Sequence, residues 1–344
     1  MHGSRGEFGH LSRVAHAVGA SWRARRRAPP LGAPLVGVVR NPRSHRNKGL
    51  SPELADCANI LVETPRSHDA LRETLTGFAA RGIDYLAVDG GDGTVRDVLT
   101  CGASVFGEAW PTLIVLPKGK TNALAVDLGL PNVWTLAQAM EALGRGQTIV
   151  RRPLAVERLG AAGGQVQGFI LGAGAFTLAT QAGQQAHRWG AFNSFAVGLT
   201  IVWGLVQALF GRAGNLWRRG TAMRLTSQDS GVELPHSRFG RPGERFVLLA
   251  STLERFPLGI RPFGRVHPGL KLAVIDAPVR WMLSLLPVFF TGFDRPFMRR
   301  NGFHRIDAEI VELAIGDRFI LDGETFPAGR YHLRQGPEVR FVVP

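Results

Sequence analysis

Residues 86–98 read LAVDGGDGTVRDV, and this stretch decides the fold. The apolar run at its start predicts a buried strand, and TVRDVLTCG from Thr94 onward has the pattern of a helix. Between them, Asp89–Gly93 holds three glycines and two aspartates. Glycines let an anion approach backbone N–H groups at a helix N-terminus. Asp92 is an acid where a phosphate is expected, so the loop predicts a Mg²⁺-nucleotide site; the alternative is a purely structural turn.

Alternating strands and helices surround this loop. LVGVV (35–39), YLAV (85–88) and TLIVLP (112–117) predict strands, and residues 69–81 have helical spacing. This order is typical of a parallel sheet with helices on both faces. We therefore predict an α/β nucleotide-binding domain over residues 34–150.

The pattern changes after Arg151. Short apolar or alternating runs follow, separated by turns rich in Gly and Pro, which favour an antiparallel sheet or sandwich. EIVELAIGDRFILDGE (309–324) predicts a hairpin with Gly316–Asp317 at its turn. Residues 151–344 are thus expected to form a second, mostly antiparallel β-sandwich domain.

The chain is strongly basic, with a formal net charge of +14 over 344 residues. Six arginines and one glutamate in residues 1–30 account for +5, and +9 remains on the rest. A basic body fits phospholipid surfaces or nucleotide phosphates. No nucleic-acid partner is expected, because no helix-turn-helix, zinc or RNA-binding pattern is present. Residues 1–33 are interpreted as a basic, disordered tail, with a membrane-attracting arm as the alternative.

Two further features bear on location. Only Cys57 and Cys101 are present, which indicates a reducing, cytoplasmic compartment. Residues 192–211 carry no charge, but polar residues and glycines interrupt them. We expect a buried or surface-lying helix there rather than a transmembrane one.

Four segments resemble the diacylglycerol kinase catalytic-domain family, which includes bacterial lipid kinases and the sphingosine and ceramide kinases. GGDGT (90–94) with Asp97 resembles the family signature GGDGTxxE, and VVRNPRS (38–44) resembles its first strand and Asn-Pro turn. LPKGKTNALAVDLGLP (116–131) and LDGE (321–324) resemble two further segments, in order and spacing. NAD kinases share GGDGT alone. The resemblance implies a kinase-like α/β domain, a β-sandwich domain and a nucleotide cleft between them.

The resemblance also implies roles for individual residues. Glu324 is the candidate general base, Asp322 fixes its turn, and Asp92 is the catalytic carboxylate and Mg²⁺ ligand. ATP and Mg²⁺ are the expected cofactors. The expected nucleotide-binding residues are Asn41, Ser44, Gly90, Gly91, Asp92, Gly93, Thr94, Lys120, Thr121 and Asn122.

The sequence departs from the family pattern at two places. Lys120 and Ala123 replace a threonine and an aspartate, which puts activity or acceptor choice in question. At VHPGLKLAV (266–274), His267, Pro268 and Leu272 stand where bacterial relatives carry acids that hold a structural Mg²⁺, so no second metal site is expected.

The resulting expectation is an ATP- and Mg²⁺-dependent lipid kinase that phosphorylates a lipid hydroxyl, with diacylglycerol giving phosphatidic acid. The alternatives are a kinase for ceramide, a sphingoid base or another lipid, and a catalytically impaired lipid-binding relative. The protein is expected to be peripheral at the inner face of an anionic membrane. WMLSLLPVFFTGF (281–293), with Arg295, Arg299 and Arg300, is interpreted as a surface-docking segment or as part of the core.

Overall fold

The computed structural model describes residues 33–160, 164–177, 180, 220–276 and 283–344. Residues 1–32 and 192–211, for which a tail and a helix are predicted, lie outside them. The described chain divides into two compact units. The α/β unit comprises residues 33–153, 164–168 and 336–344, and the β-rich unit comprises the intervening residues.

The α/β unit is built on a mostly parallel sheet. Among the described residues its strand order is β2-β1-β3-β4-β17-β5. β1, β2, β3, β4 and β17 run parallel to one another, and the edge strand β5 pairs antiparallel with β17. The strands are β1 (Val36–Arg40), β2 (Ile60–Glu63), β3 (Tyr85–Gly90), β4 (Thr112–Pro117), β5 (Thr148–Arg151) and β17 (Val339–Val342).

Two helices of this unit begin at residues whose side chains cap the first turn. Ser67 caps α1 by accepting from the N–H of Ala70, and Thr135 caps α4 with a capping box. Leu71, Leu75 and Phe78 form the buried face of α1. The helices are α1 (His68–Ala80), α2 (Asp92–Phe106), α3 (Ala123–Asp127) and α4 (Leu136–Leu143). β7 (Val166–Gly168) contacts α2, where the Thr100 hydroxyl accepts from the N–H of Gln167 at 3.0 Å.

The β-rich unit is antiparallel throughout its described pairings. Its strands follow the order β15-β14-β8-β10-β9-β13-β16-β6, and β11 and β12 extend from β10. The bounds are β6 (Leu154–Arg158), β8 (Ile170–Gly174), β9 (Thr221–Ser227), β10 (Glu244–Ser251), β11 (Leu270–Asp276), β12 (Phe303–Ala308), β13 (Ile310–Ile315), β14 (Phe319–Leu321), β15 (Glu324–Phe326) and β16 (Gly329–Gln335).

Two short helices close part of the β-rich core. Phe289 of α5 (Leu286–Phe290) and Met298 of α6 (Pro296–Arg300) are buried against Ile275 and Phe303. Val288 and Phe293 of the same segment are exposed. The described part of the predicted docking segment therefore contributes both core and surface.

The fold class predicted from the sequence is confirmed, with an α/β region followed by a large antiparallel sheet. Two local features differ from the prediction. β13 and β14 do not pair with each other: β13 lies between β9 and β16, whereas β14 pairs with β8 and β15. Gly316–Asp317 is thus a connection between strands that are not neighbours, and the hairpin turn is at 322–323. Second, β17 belongs to the α/β unit, although residues 151–344 were expected to form one domain.

None of the helices in the described ranges combines the length and the apolar content needed to cross a bilayer.

Candidate functional site

The glycine loop lies at the carboxyl end of β3, where open α/β sheets bind ligands. Gly91 is the N-cap of α2 and is extended, with φ −97° and ψ −175°. It carries no side chain, so no capping group covers the first turn of this 15-residue helix. The loop therefore presents an uncapped helix N-terminus, a favourable position for a phosphate group.

A second loop, at the end of β4, touches the first. A β-carbon built on Gly91 would lie 2.8 Å from the Cα of Gly119, and one built on Gly119 would lie 2.7 Å from the Cα of Gly91. The N–H of Lys118 also donates to the carbonyl of Gly90 at 2.9 Å. The two loops form one surface that requires glycine on both sides.

Asp92 joins the two loops by a different contact. Its carboxylate accepts from the N–H groups of Ala123 at 3.0 Å and Leu124 at 3.3 Å, in the first turn of α3. Burial raises the pKa of Asp92, and these backbone donors act against that rise. The carboxylate is thus fixed in position, and a cation beside it would favour its ionised form.

The loop of residues 118–122 is closed by its own asparagine. Asn122 has a left-handed backbone, with φ 51° and ψ 50°. Its side-chain oxygen accepts from the N–H of Gly119 at 2.8 Å, and its amide donates to the carbonyl of Gly119 at 3.1 Å. Lys120 and Thr121 are exposed at the tip of this loop. The structure thus gives Asn122 a loop-shaping contact, and leaves the Lys120 ammonium towards solvent.

The first strand contributes Asn41 to the same edge. Its backbone N–H donates to the carbonyl of Asp89 at 3.0 Å, and its side-chain amide donates to the hydroxyl of Thr94 at 3.0 Å. Ser44 follows in the same turn, where its N–H donates to the carbonyl of Asn41 at 3.2 Å. The ends of β1, β3 and β4 therefore bring together the predicted nucleotide residues from Asn41 to Asn122.

Beneath the glycine loop lies a buried polar group that the sequence analysis missed. Arg40 and Asp89, paired across β1 and β3, form an ion pair at 2.9 Å. The amide of Asn47 donates to the carboxylate and the carbonyl of Asp89, both at 3.0 Å. Burial raises the pKa of Asp89, against the opposing effects of Asn47 and Arg40. Opposite charges ending two adjacent buried strands were the available signal for Arg40 and Asp89, whereas nothing in the sequence identified Asn47.

The remaining predicted residues, Asp322 and Glu324, lie in the β-rich unit. β14 and β15 form a two-residue hairpin with Leu321 opposite Glu324. Asp322 and Gly323 have φ of 43° and 84°, as a tight primed turn requires. The Asp322 carboxylate accepts from the N–H groups of Phe169 at 2.8 Å and Ile170 at 2.9 Å. Asp322 thus fixes the turn that immediately precedes Glu324.

The donor set around the glycine loop fits a magnesium ion bound mainly through phosphates and water. Within the described residues, no three His, Cys, Asp or Glu side chains gather as a metal cluster. Mg²⁺ commonly takes only one or two carboxylates from a protein and completes its shell with substrate phosphates and water. Asp92 beside an uncapped helix N-terminus meets that requirement.

Residues 266–274 contain a positively charged side chain, that of Lys271. Lys271 is buried, and its ammonium donates to the carbonyls of His267 at 2.8 Å, Gly269 at 3.1 Å and Thr252 at 3.4 Å. These carbonyls are neutral acceptors, so the lysine charge itself organises the turn before β11. A metal ion at the same carbonyls would meet the positive charge of Lys271.

Comparison with known proteins agrees with the sequence resemblance. Residues 38–152 match the family model of the diacylglycerol kinase catalytic domain. The match contains the whole group from Asn41 to Asn122, so this part of the chain is similar to the catalytic domain of that family. The predicted resemblance is confirmed. No curated protein matches the sequence.

Solved structures share the fold over nearly the whole chain. The crystal structure of a diacylglycerol kinase from Bacillus anthracis str. Sterne has a TM-score of 0.61 at 14% identity, covering 92% of this chain and 99% of that chain. A second structure from this strain, of a protein to which the same activity is ascribed, has a TM-score of 0.63 at 15% identity with the same coverage. At these identities the likeness establishes the fold alone.

Proposed function

We propose that this chain, whose residues 38–152 match the diacylglycerol kinase catalytic domain, is an ATP- and Mg²⁺-dependent lipid kinase. One observation carries the proposal: the uncapped start of α2 at Gly91 lies against the Gly119 loop, with Asp92 fixed beside both. The favoured acceptor is the primary hydroxyl of diacylglycerol, which gives phosphatidic acid.

The chain's own residues would bind and orient the nucleotide. Backbone N–H groups of Gly90–Gly93 and the dipole of α2 would receive phosphate oxygens. Lys120, exposed at the tip of its loop, would add a positive charge, and Thr121 a hydroxyl. Asn41 would hold the Thr94 hydroxyl in place, since the two are already hydrogen-bonded. Asp92 would hold Mg²⁺, which supplies charge neutralisation for the transferred phosphoryl group when bound.

Glu324 would act on the acceptor. In the proposed reaction its carboxylate takes the proton of the lipid hydroxyl while the hydroxyl oxygen bonds to the γ-phosphorus of ATP. The bond from that phosphorus to the bridging oxygen breaks, and ADP leaves. Because Asp322 fixes the turn through two backbone donors, Glu324 begins β15 from a rigid position. The acceptor is embedded in a membrane, so the proposal includes peripheral contact of the cytoplasmic protein with an anionic inner face.

A specific observation favours one second candidate, a lipid-binding relative without catalysis. Both oxygens of Asp92 accept backbone N–H groups, and Ala123 stands where the family carries an aspartate. In such a relative, the carboxylate of Asp92 would serve only to cap the N-terminus of α3. ATP binding would then be weak and independent of Mg²⁺.

The deciding experiment is transfer of labelled γ-phosphate from ATP to diacylglycerol, ceramide and sphingosine in mixed detergent micelles. The wild-type chain would be compared with Asp92→Asn and Glu324→Gln, and with Asp69→Asn as a control at an exposed carboxylate. Label on one lipid that is lost in the first two variants and kept in the control supports the kinase and names its acceptor. Absence of label on every lipid, together with Mg²⁺-independent ATP binding, would replace the kinase by the lipid-binding relative.

A further inference from the structure

A wide groove lies in the β-rich unit, formed by residues 235–238 and 297–306. Its volume is about 870 Å³, within the range of sites that bind small organic ligands. None of the described residues that line it is an aspartate or glutamate. The titratable residues that line it are His236, Arg238, Arg299, Arg300, His304 and Arg305. The groove is therefore positively charged and suited to an anion.

The arginines of the groove differ in what already holds them. Arg305 is fixed by the carbonyls of Pro262 and Phe289, and its guanidinium lies 4.1 Å from the Phe289 ring centroid. Arg299 pairs with Asp294 at 3.3 Å. Arg238 and Arg300 are exposed, and within the described ranges neither makes an ion pair, although the Arg238 guanidinium lies 5.1 Å from the Phe239 ring centroid. These two guanidinium groups are the ones available to a ligand.

The acid behind the groove does not offset this charge. Asp276 is fully buried and accepts from the N–H of Ser237 at 2.7 Å and from the Nε2 of His304 at 2.9 Å. It also forms an ion pair with the buried Arg245. The carboxylate is thus neutralised by its own partners inside the unit.

His304 also lines the groove, where it is 6% exposed. Its Nε2 is engaged by the carboxylate of Asp276, so the imidazole ring is held in place at the wall of the groove.

The rim of the groove is apolar and exposed. Phe297, from α6, lines the groove and is 53% exposed, and the neighbouring Phe293 is 44% exposed. Aromatic side chains interleaved with arginines are typical of surfaces that dock at the boundary between lipid headgroups and acyl chains. Binding of a soluble phosphate would not explain why phenylalanines are exposed beside the groove.

We propose that this groove binds the phosphate of an anionic phospholipid headgroup within a bilayer, through Arg238 and Arg300, while Phe297 inserts at the bilayer surface. The proposal deepens the membrane contact of the proposed function and rests on it for the membrane as the source of the ligand. It names a second lipid site, separate from the residues assigned to phosphoryl transfer.

Sedimentation of the full chain with vesicles tests this proposal. The vesicles are of phosphatidylcholine alone, or of equal parts phosphatidylglycerol and phosphatidylcholine. The variant is the double substitution Arg238→Gln with Arg300→Gln. Its charge-matched control is Arg145→Gln with Arg340→Gln, at exposed positions of the other unit. We expect the groove variant to bind the anionic vesicles about tenfold or more weakly, since each arginine near an anionic surface contributes substantially, and the control to change little.

Equal losses in both double variants would overturn the proposal, because net charge alone would then explain binding. Displacement of the wild-type chain by millimolar inorganic phosphate, at constant ionic strength, would overturn the lipid source and leave a site for free phosphate. Phe297→Ser should weaken vesicle binding without changing its salt dependence, and an unchanged affinity would contradict the insertion of Phe297.

Failure of this proposal can be distinguished from failure of the kinase. Phosphoryl transfer to diacylglycerol dispersed in detergent does not require docking on a bilayer, so the groove variant should retain it. A chain that binds anionic vesicles through the groove but transfers no phosphate would contradict the kinase and leave the groove assignment intact.

Discussion

Gly91 and Gly119 lie so close that a β-carbon on either would overlap the backbone of the other. This contact sets the first prediction. Gly91→Ala and Gly119→Ala should each separate the two loops, destabilise the protein by about 1–3 kcal/mol and abolish ATP binding. Binding is measured by titration with Mg²⁺-ATP, and stability by urea unfolding.

The matched control for these substitutions is Gly77→Ala in α1. A β-carbon at Gly77 meets no atom within 4 Å. Because alanine favours a helix over glycine, this variant should be neutral or more stable by up to about 1 kcal/mol. Equal effects of Gly77→Ala and Gly91→Ala would show that the contact between the loops is unimportant.

Arg40 and Asp89 give a second prediction. Arg40→Met leaves the buried carboxylate of Asp89 without its cation, and should destabilise the protein by about 3 kcal/mol. Asp69→Asn, which breaks an exposed pair with Arg72, should change the free energy of unfolding by about 0.5 kcal/mol or less.

The Arg40→Met variant should also acquire a pH dependence of a definite sign. Burial already raises the pKa of Asp89 in the folded protein, and removal of Arg40 raises it further. The folded state then binds a proton more readily than the unfolded state, so stability falls as pH rises. We expect the variant to recover part of its lost stability between pH 8 and pH 5 in urea unfolding. A constant difference from wild type over that interval would contradict this.

The pKa of Asp276 is shifted in the opposite direction to that of Asp89, so its effect on stability has the opposite pH dependence. Despite its burial, hydrogen bonds from His304 and Ser237 contribute to lowering the pKa of Asp276 to about 2. A depressed pKa of a carboxyl contributes stability above its unfolded value near 4, and this stability is lost as pH falls towards 2. The contribution is about 2 kcal/mol. Asp276→Asn should therefore be most harmful at neutral pH, with the difference from wild type narrowing between pH 5 and pH 3.

Unfolding of both proteins by urea over that pH range checks this prediction. Asp229→Asn, at an exposed position of the same unit, is the control and should follow wild type throughout. A gap between wild type and Asp276→Asn that stays constant with pH would place the loss in packing rather than in charge.

Asp322 supports a fourth prediction. Asp322→Ala leaves the N–H groups of Phe169 and Ile170 without their acceptor, which should cost about 2–4 kcal/mol. Asp322→Gly loses the same hydrogen bonds but fits φ 43° more easily, so it should be about 1 kcal/mol more stable than the alanine variant. Urea midpoints of the two variants measure the difference. If alanine and glycine were equal, the positive φ would carry no strain.

The parallel strands and their loops were predictable because each is encoded locally. Buried parallel strands are continuous apolar runs, and the five residues from Asp89 to Gly93 specify the turn. The family resemblance implied that Asn41 and Asn122 lie beside the glycine loop, and the carboxyl ends of β1, β3 and β4 do meet at one edge.

Features set by long-range pairing were not predictable in the same way. Gly316–Asp317 has the composition of a hairpin turn. However, β13 pairs with β16, and β14 pairs with β8, instead of with each other. β17 has only four residues, VRFV, and so short a segment does not identify the sheet that it joins. Asn47 and Lys271 both donate to backbone carbonyl groups, which every residue carries, so their sequence positions did not mark them as polar contacts of the fold.

The position of β17 has a consequence for synthesis of the protein. β17 lies between β4 and β5, so the α/β sheet, whose first described strand begins at Val36, needs residues 339–342 for completion. During translation, the edge of β4 that pairs with β17 stays unpaired until the whole β-rich unit has been synthesised. Domains generally fold as units during translation. The α/β sheet of this chain, although β1 to β4 are synthesised early, is complete only after β17 has been synthesised. The nascent edge at Leu113, which later faces Phe341, is where we expect a chaperone to bind.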